Sequence, residues 1–219
     1  MIKLIGIDVD GTLLDSRGQI PAENLAACHE AASRGIHIAI VTGRSFYFAL
    51  QAVATLADPL ILIVHNGAIA RTRGGDTLTR RLMPRDLARE VLTATLSWRA
   101  SAVVLFDRPL AGQMVYDKMD WAHPDRKGFR ARNRPIIEQV ESLEEALTED
   151  PIQVGFNGGV ESMRAIVAQL QAHPSAPALS VSVTEYPERN FSLVDVFGAG
   201  VSKGTGLAQL AASLDVEQA

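Results

Sequence analysis

Apolar residues near the N-terminus fall in three short runs, at residues 2–7 (interrupted by Lys3), 36–41 and 60–64. Each run is closed by polar or glycine residues: Asp8-Val9-Asp10-Gly11, then Thr42-Gly43-Arg44, then His65-Asn66-Gly67. Short, β-branched, continuously apolar runs are the pattern of strands buried on both faces, as in a parallel sheet. Between them the spacing turns helical. Pro21 opens and Gly35 closes a segment with Leu25, Cys28 and Ala32 on one stripe, and Phe46, Leu50 and Val53 follow the second run until Pro59 breaks the pattern. Asp15-Ser16-Arg17-Gly18 reads as a tight turn beside the end of the first strand. Three strand–helix units in succession predict an α/β fold, a Rossmann-like parallel sheet with right-handed crossovers and its strand-end loops on one edge.

From residue 82 the rhythm changes. Pro84 starts a helix carrying Leu87, Val91, Thr95 and Trp98, and residues 102–106 and 112–116 read as a hairpin around Arg108-Pro109. A looser stretch at 117–135 precedes a strand at 136–140, and Ser142-Leu143-Glu144-Glu145 is a capping box for a short helix. A strand at 152–156, a Gly158-Gly159 turn, a helix at 160–172 and an antiparallel pair at 179–184 and 191–196 complete an α+β unit. The predicted organisation is a core in two pieces, 1–81 and 198–219, with an inserted α+β domain at 82–197. A helix at 205–214 belongs to the returning piece.

Composition narrows the setting. The chain has 219 residues, 47% of them hydrophobic, enough to bury a substantial core. A net charge of −4 argues against nucleic acid or an anionic membrane as partner. The single cysteine, Cys28, excludes an internal disulfide, there is no basic region followed by a long apolar run, and no apolar run reaches membrane-spanning length. A reducing cytoplasm is the expected compartment.

The chemistry gathers where the three runs end, since ligands of open α/β sheets sit beyond the carboxyl ends of the strands. Asp8 and Asp10 share a face at the first strand end, and two converging carboxylates suit a hard cation such as Mg²⁺; a solvated turn is the plainer alternative. At the second, the Thr42 hydroxyl and the Gly43 N–H form a phosphate cradle, or Thr42 caps the following helix. Arg44 reads as a substrate contact or as half of an ion pair, and Asn66-Gly67 as a substrate border or a hairpin turn. Lys203, flanked by Ser202 and Gly204 at a helix start, offers a point charge to an anion. The basic run Arg126, Lys127, Arg130, Arg132 and Arg134 reads as a solvated loop, with the grip of an anionic substrate tail as the lesser alternative. His65, His123 and His173 show no metal-ligand spacing with one another.

Asp-Val-Asp-Gly-Thr-Leu-Leu at residues 8–14 resembles the first signature of the haloacid-dehalogenase (HAD) superfamily of aspartate-nucleophile phosphatases. Thr42 matches the family's second motif, with Gly43 as its backbone donor, and Lys203 its third. The inserted domain resembles the α/β cap of Cof-type members. The resemblance implies hydrolysis of small phosphomonoesters, of the sugar-phosphate or phosphorylated-cofactor class. It assigns Asp8 as nucleophile and Asp10 as acid and base. Mg²⁺ would be held by the Asp8 carboxylate and the Asp10 main-chain carbonyl, and Asn66 would border the substrate.

The family's fourth motif, Gly-Asp-Gly followed shortly by Asn-Asp, has no match after Lys203, where Asp215 and Glu217 are the only carboxylates. That gap implies weaker Mg²⁺ binding, an uncovered edge on the first strand that favours homo-oligomers, and low turnover. An inactive module that only binds phosphoryl ligands is the alternative, and a receiver-like domain phosphorylated on Asp8 a more distant one.

Overall fold

The structure, a computed structural model, describes residues 2–217. In chain order it begins with β1 (Leu4–Asp8), α1 (Ala22–Ser33), β2 (His37–Val41), α2 (Phe46–Ala52), β3 (Ile61–Val64), β4 (Ile69–Thr72) and β5 (Thr77–Arg80). It continues with α3 (Arg85–Ala94), β6 (Ala102–Leu105), β7 (Met114–Tyr116), α4 (Pro124–Asn133), β8 (Ile137–Gln139), α5 (Leu143–Ala146), β9 (Gln153–Gly158), α6 (Val160–Gln171), β10 (Leu179–Tyr186) and β11 (Phe191–Gly198), and ends on α7 (Lys203–Ser213). Residues up to Arg81 and from Val201 onward form one compact unit, and Leu82–Gly200 form another. Among the described residues no helix is long and apolar enough to cross a membrane.

In the first unit the sheet order is β1-β2-β3-β4-β5. The three expected strands pair in parallel, and Asp8 lies level with Val41. Strands β4 and β5 then continue the sheet antiparallel, so it is mixed rather than wholly parallel. These two strands were not legible in the apolar pattern, because β5 (Thr-Leu-Thr-Arg) lies at an exposed edge and buries almost nothing. Helix α7 returns to the sheet, where Leu210 joins Ala39, Val41, Ile63 and Ala70 in one buried cluster, with Leu4, Ile61 and Leu207 packed beside it. The alternate strand positions Ile38, Ile40, Leu62 and Val64 are buried as well.

The second unit is a six-stranded sheet, β10-β11-β9-β6-β7-β8. Its core joins α3, α5 and α6 to the sheet through Val91, Leu92, Leu143, Met163, Ile166, Val154, Phe156, Val194 and Val196. The stretch expected to be loose, residues 117–135, contains helix α4. The helix starts on a His123 side-chain cap with Pro124 in its first turn. Its apolar content is too small to show a period. Its Arg126 is buried, donating to Asn157 Oδ1 at 2.9 Å, Ser101 Oγ at 2.7 Å and the Asp120 carbonyl at 2.7 Å. Arg130 lies over the Trp121 ring at 5.0 Å. Part of the basic run is therefore internal structure and not a solvated loop.

Candidate active site

Strand β1 delivers Asp8 to the sheet's edge, and the chain then makes a wide turn. Leu14 N–H donates to the Val9 carbonyl at 3.0 Å, with Gly11 at φ 75°. That left-handed value suits glycine. Val9 and Leu13 are buried and pin the turn, while Asp10 and Gly11, between them, stay exposed. Val9 N–H donates to Asp8 Oδ1 at 2.8 Å, which fixes the carboxylate's rotamer.

Lys203, at the start of α7, brings its Nζ to 2.9 Å from the same Asp8 Oδ1. Ser202 caps this helix: its Oγ accepts from Thr205 N–H at 3.1 Å, and its own N–H donates to Thr205 Oγ1 at 2.9 Å. The approach depends on missing side chains. A Cβ on Gly67 (φ 104°) would lie 2.0 Å from the Ser202 carbonyl oxygen, and one on Gly206 2.8 Å from Gly67 Cα. Glycine at both positions lets the helix start abut the turn after β3.

Thr42 follows β2 and is fully buried. Its N–H donates to the Ile63 carbonyl at 2.8 Å, and its carbonyl accepts from Asn66 N–H at 3.0 Å. Thr42 Oγ1 accepts from Arg44 N–H at 3.2 Å, a local turn bond that leaves the hydroxyl proton free for another acceptor. Asn66, at φ 54°, rests its side chain over Gly43: a Cβ there would stand 2.9 Å from Asn66 Oδ1. Asn66-Gly67 is thus the β3–β4 hairpin turn and a neighbour of the Gly43 backbone at once.

Arg44 turns back to the first loop. Its Nε donates to Asp10 Oδ2 at 3.0 Å and its Nη2 to Asp10 Oδ1 at 2.6 Å, a bidentate ion pair. The sequence left Arg44 open between substrate and ion-pair roles, and this structure puts it on the second acid of the pair. Two acids and two cations therefore alternate here, Lys203 on Asp8 and Arg44 on Asp10. Both bonds to Asp8 fall on Oδ1, which leaves Oδ2 available to an incoming atom. Among the described residues no group of three acidic, histidine or cysteine side chains is placed to hold a metal ion.

Residues 5–219 match the family model for haloacid dehalogenase-like hydrolases, and the chain belongs to that family, in its Cof-type group. It is 27% identical over 220 residues to an HMP-PP phosphatase of Serratia proteamaculans, a match covering all of this chain and 75% of that protein. It is 25% identical over 229 residues to the chloroplastic endoribonuclease YBEY of Arabidopsis thaliana, covering 95% of this chain and 36% of that protein. Alignments to the first curated relatives span between 34% and 39% of those proteins' lengths. A Bacteroides thetaiotaomicron phosphatase of the haloalkanoate dehalogenase superfamily shares the fold at a TM-score of 0.76, with 23% identity, 99% of this chain and 74% of that chain covered.

Proposed function

We propose that the chain hydrolyses small phosphomonoesters, with Asp8 as nucleophile and Asp10 as proton carrier. The observation that carries the reading is the 2.9 Å contact between Lys203 Nζ and Asp8 Oδ1, which joins residues 195 positions apart at the end of β1. In this reading Asp8 Oδ2 attacks phosphorus and the ester P–O bond breaks. Asp10, protonated, gives its proton to the departing alkoxide. Asp10 then takes a proton from a water whose oxygen attacks phosphorus, releasing phosphate and restoring Asp8. The Thr42 hydroxyl and Gly43 N–H would hold the phosphoryl oxygens, and Lys203 would offset the negative charge shared by nucleophile and phosphoryl group.

The hard oxygen donors at the turn, the Asp8 carboxylate and the Asp10 main-chain carbonyl, fit Mg²⁺, which usually keeps several waters and substrate oxygens in its shell. Bound there, Mg²⁺ would neutralise charge between carboxylate and phosphoryl group. The Asp10 carboxylate, held by Arg44, is not needed as a ligand.

Substrates of the sugar-phosphate or phosphorylated-cofactor class follow from the resemblance and agree with the name of the Serratia relative. One observation favours a second reading, a module that binds phosphoryl ligands without turnover: no three-acid metal cluster occurs among the described residues. Phosphate release from a panel of phosphomonoesters with Mg²⁺ separates the two. The hydrolase reading requires turnover that Asp8→Asn abolishes. Binding of phosphate with no turnover above that variant would favour the module.

A further inference from the structure

We propose that the turn His65-Asn66-Gly67 is the support on which the phosphoryl cradle is set, and that Asn66 is a positioning residue. It holds the Gly43 amide in place and makes no contact with the alcohol portion of the ester. The proposal rests on the hydrolase reading above, in which Gly43 N–H binds a phosphoryl oxygen, and moves Asn66 from the substrate's border to the support of that donor.

Four observations carry it. First, the turn holds the loop after β2 by its carbonyls: Asn66 N–H donates to the Thr42 carbonyl and His65 N–H to the Arg44 carbonyl, both at 3.0 Å. In a trans peptide the N–H points opposite to the C=O, so a Thr42 carbonyl turned toward Asn66 directs the Gly43 N–H away from the turn. Among the described residues that N–H has no acceptor. Second, the Asn66 side chain lies against Gly43. A Cβ on Gly43 would stand 2.9 Å from Asn66 Oδ1 and 3.4 Å from Nδ2, and Gly43 has no left-handed φ of its own to require glycine. The missing side chain is what gives the carboxamide its place.

Third, the turn is left-handed at three successive positions, with φ 49° at His65, 54° at Asn66 and 104° at Gly67. Such backbone is strained outside glycine and persists where the surrounding structure holds it. Here it sends two neighbouring amides to one loop. Fourth, the last residue of the turn borders the other half of the site. A Cβ on Gly67 would lie 2.0 Å from the Ser202 carbonyl oxygen, one residue before Lys203, whose Nζ is 2.9 Å from Asp8 Oδ1. One turn therefore sets the spacing between the Gly43 donor and the ammonium on Asp8. A donor that drifts from its place loses effect while remaining present. Loss of the Asn66 side chain should accordingly weaken every phosphate ligand alike, whatever alcohol it carries.

Inorganic phosphate, which has no alcohol portion, is the probe. Calorimetry with Mg²⁺ present should give a Kd on Asp8→Asn about tenfold tighter than on Asp8→Asn/Asn66→Gly, since glycine keeps the left-handed backbone and removes only the carboxamide. In the active protein, Asn66→Gly should lower kcat/KM for p-nitrophenyl phosphate and for a hexose phosphate by factors within about twofold of each other. The contact with Gly43 is tested by a double-mutant cycle. Gly43→Ala puts a methyl group where the carboxamide lies, so it should weaken phosphate about fivefold or more on Asp8→Asn and less than about twofold once Asn66 is replaced by glycine. An unchanged phosphate Kd in the Asn66→Gly background would overturn the proposal, and a kcat/KM loss confined to the hexose ester would return Asn66 to the substrate's border. Equal effects of Gly43→Ala in the two backgrounds would overturn it as well. An Asp8→Asn protein that binds no phosphate would remove the cradle and the proposal together. The predicted weakening in a chain whose wild type turns over no ester would leave the positioning role standing and remove the hydrolase reading.

Discussion

At the scale of single residues, the two contacts on Asp8 make separate demands. Lys203→Ala removes the ammonium from Asp8 Oδ1 but leaves the Val9 N–H bond that fixes the carboxylate. Its loss should lower kcat for p-nitrophenyl phosphate by about 10²–10³, the usual effect of deleting one preorganised donor to developing charge. A decrease under threefold would remove Lys203 from the chemistry. Another carboxylate gives a pH prediction. Burial pushes the Asp195 carboxyl up to about 6 from an ordinary 3.8, against the hydrogen bond that Gln153 Nε2 donates to Oδ1 at 2.5 Å. A raised acid binds more protons folded than unfolded between those values, so its contribution to stability falls as pH rises through that window and is fully lost above it. Asp195→Asn should therefore raise Tm at pH 7.5, by on the order of 2 kcal/mol in stability, and leave it nearly unchanged at pH 4. Thermal unfolding at the two pH values decides it, and an equal shift at both would reject burial as the cause.

Among elements, the strand ends of the first unit were readable because each joins an apolar run to chemistry-bearing residues: Asp8 at the end of β1, Thr42 after β2 and Asn66 after β3. The cap of α7 is visible too, as Ser202-Lys203-Gly204-Thr205. What the sequence could not show is why α7 stands where it does. That depends on Gly67 and Gly206, 139 positions apart in sequence, meeting in the fold, and glycines announce turns more readily than contacts between distant segments. The Arg44–Asp10 pair was hidden for a similar reason, because either role is compatible with the residue types. Helix α4 escaped notice because its first turn is held by His123 and the buried Arg126, neither of which contributes to an apolar period. The α7 contact yields a matched pair of variants. Gly206→Ala places a Cβ against backbone at 2.8 and 2.9 Å, so the helix must move, at about 1–3 kcal/mol for overpacking, and kcat should fall with the displaced Lys203. Gly204→Ala, on the same helix, meets nothing closer than Ser202 Oγ at 3.9 Å and should gain up to about 1 kcal/mol from helix propensity with kcat retained. Denaturant midpoints and kcat for both variants make the comparison, and equal effects would refute a role for close packing.

For the whole molecule, the edge of the first sheet gives a prediction about association between copies. Among the described residues β1 has β2 as its one ladder partner, so its other edge presents unpaired N–H and C=O groups. Beside that edge lies a groove of about 960 Å³ whose lining includes Ile2, Leu4, Leu207, Ala208, Ala211 and Val216, and Ile2 is 65% exposed. An open edge next to apolar surface is a template for pairing with another strand. A second copy can satisfy it by a two-fold axis that sets β1 antiparallel to its mate and brings the two α7 helices side by side on one face, an isologous and therefore closed arrangement. Lys3 lines the same groove as Asp215 and Glu217, so charges of both signs are present to meet across such an axis. The expected result is a monomer–dimer equilibrium, seen by light scattering as a mass that rises with concentration. Ile2→Asp, at an exposed position away from Asp8, should shift it toward monomer without changing kcat. A wild-type mass that stays monomeric over the accessible concentration range, indistinguishable from that of Ile2→Asp, would show that a solvated edge suffices for this sheet.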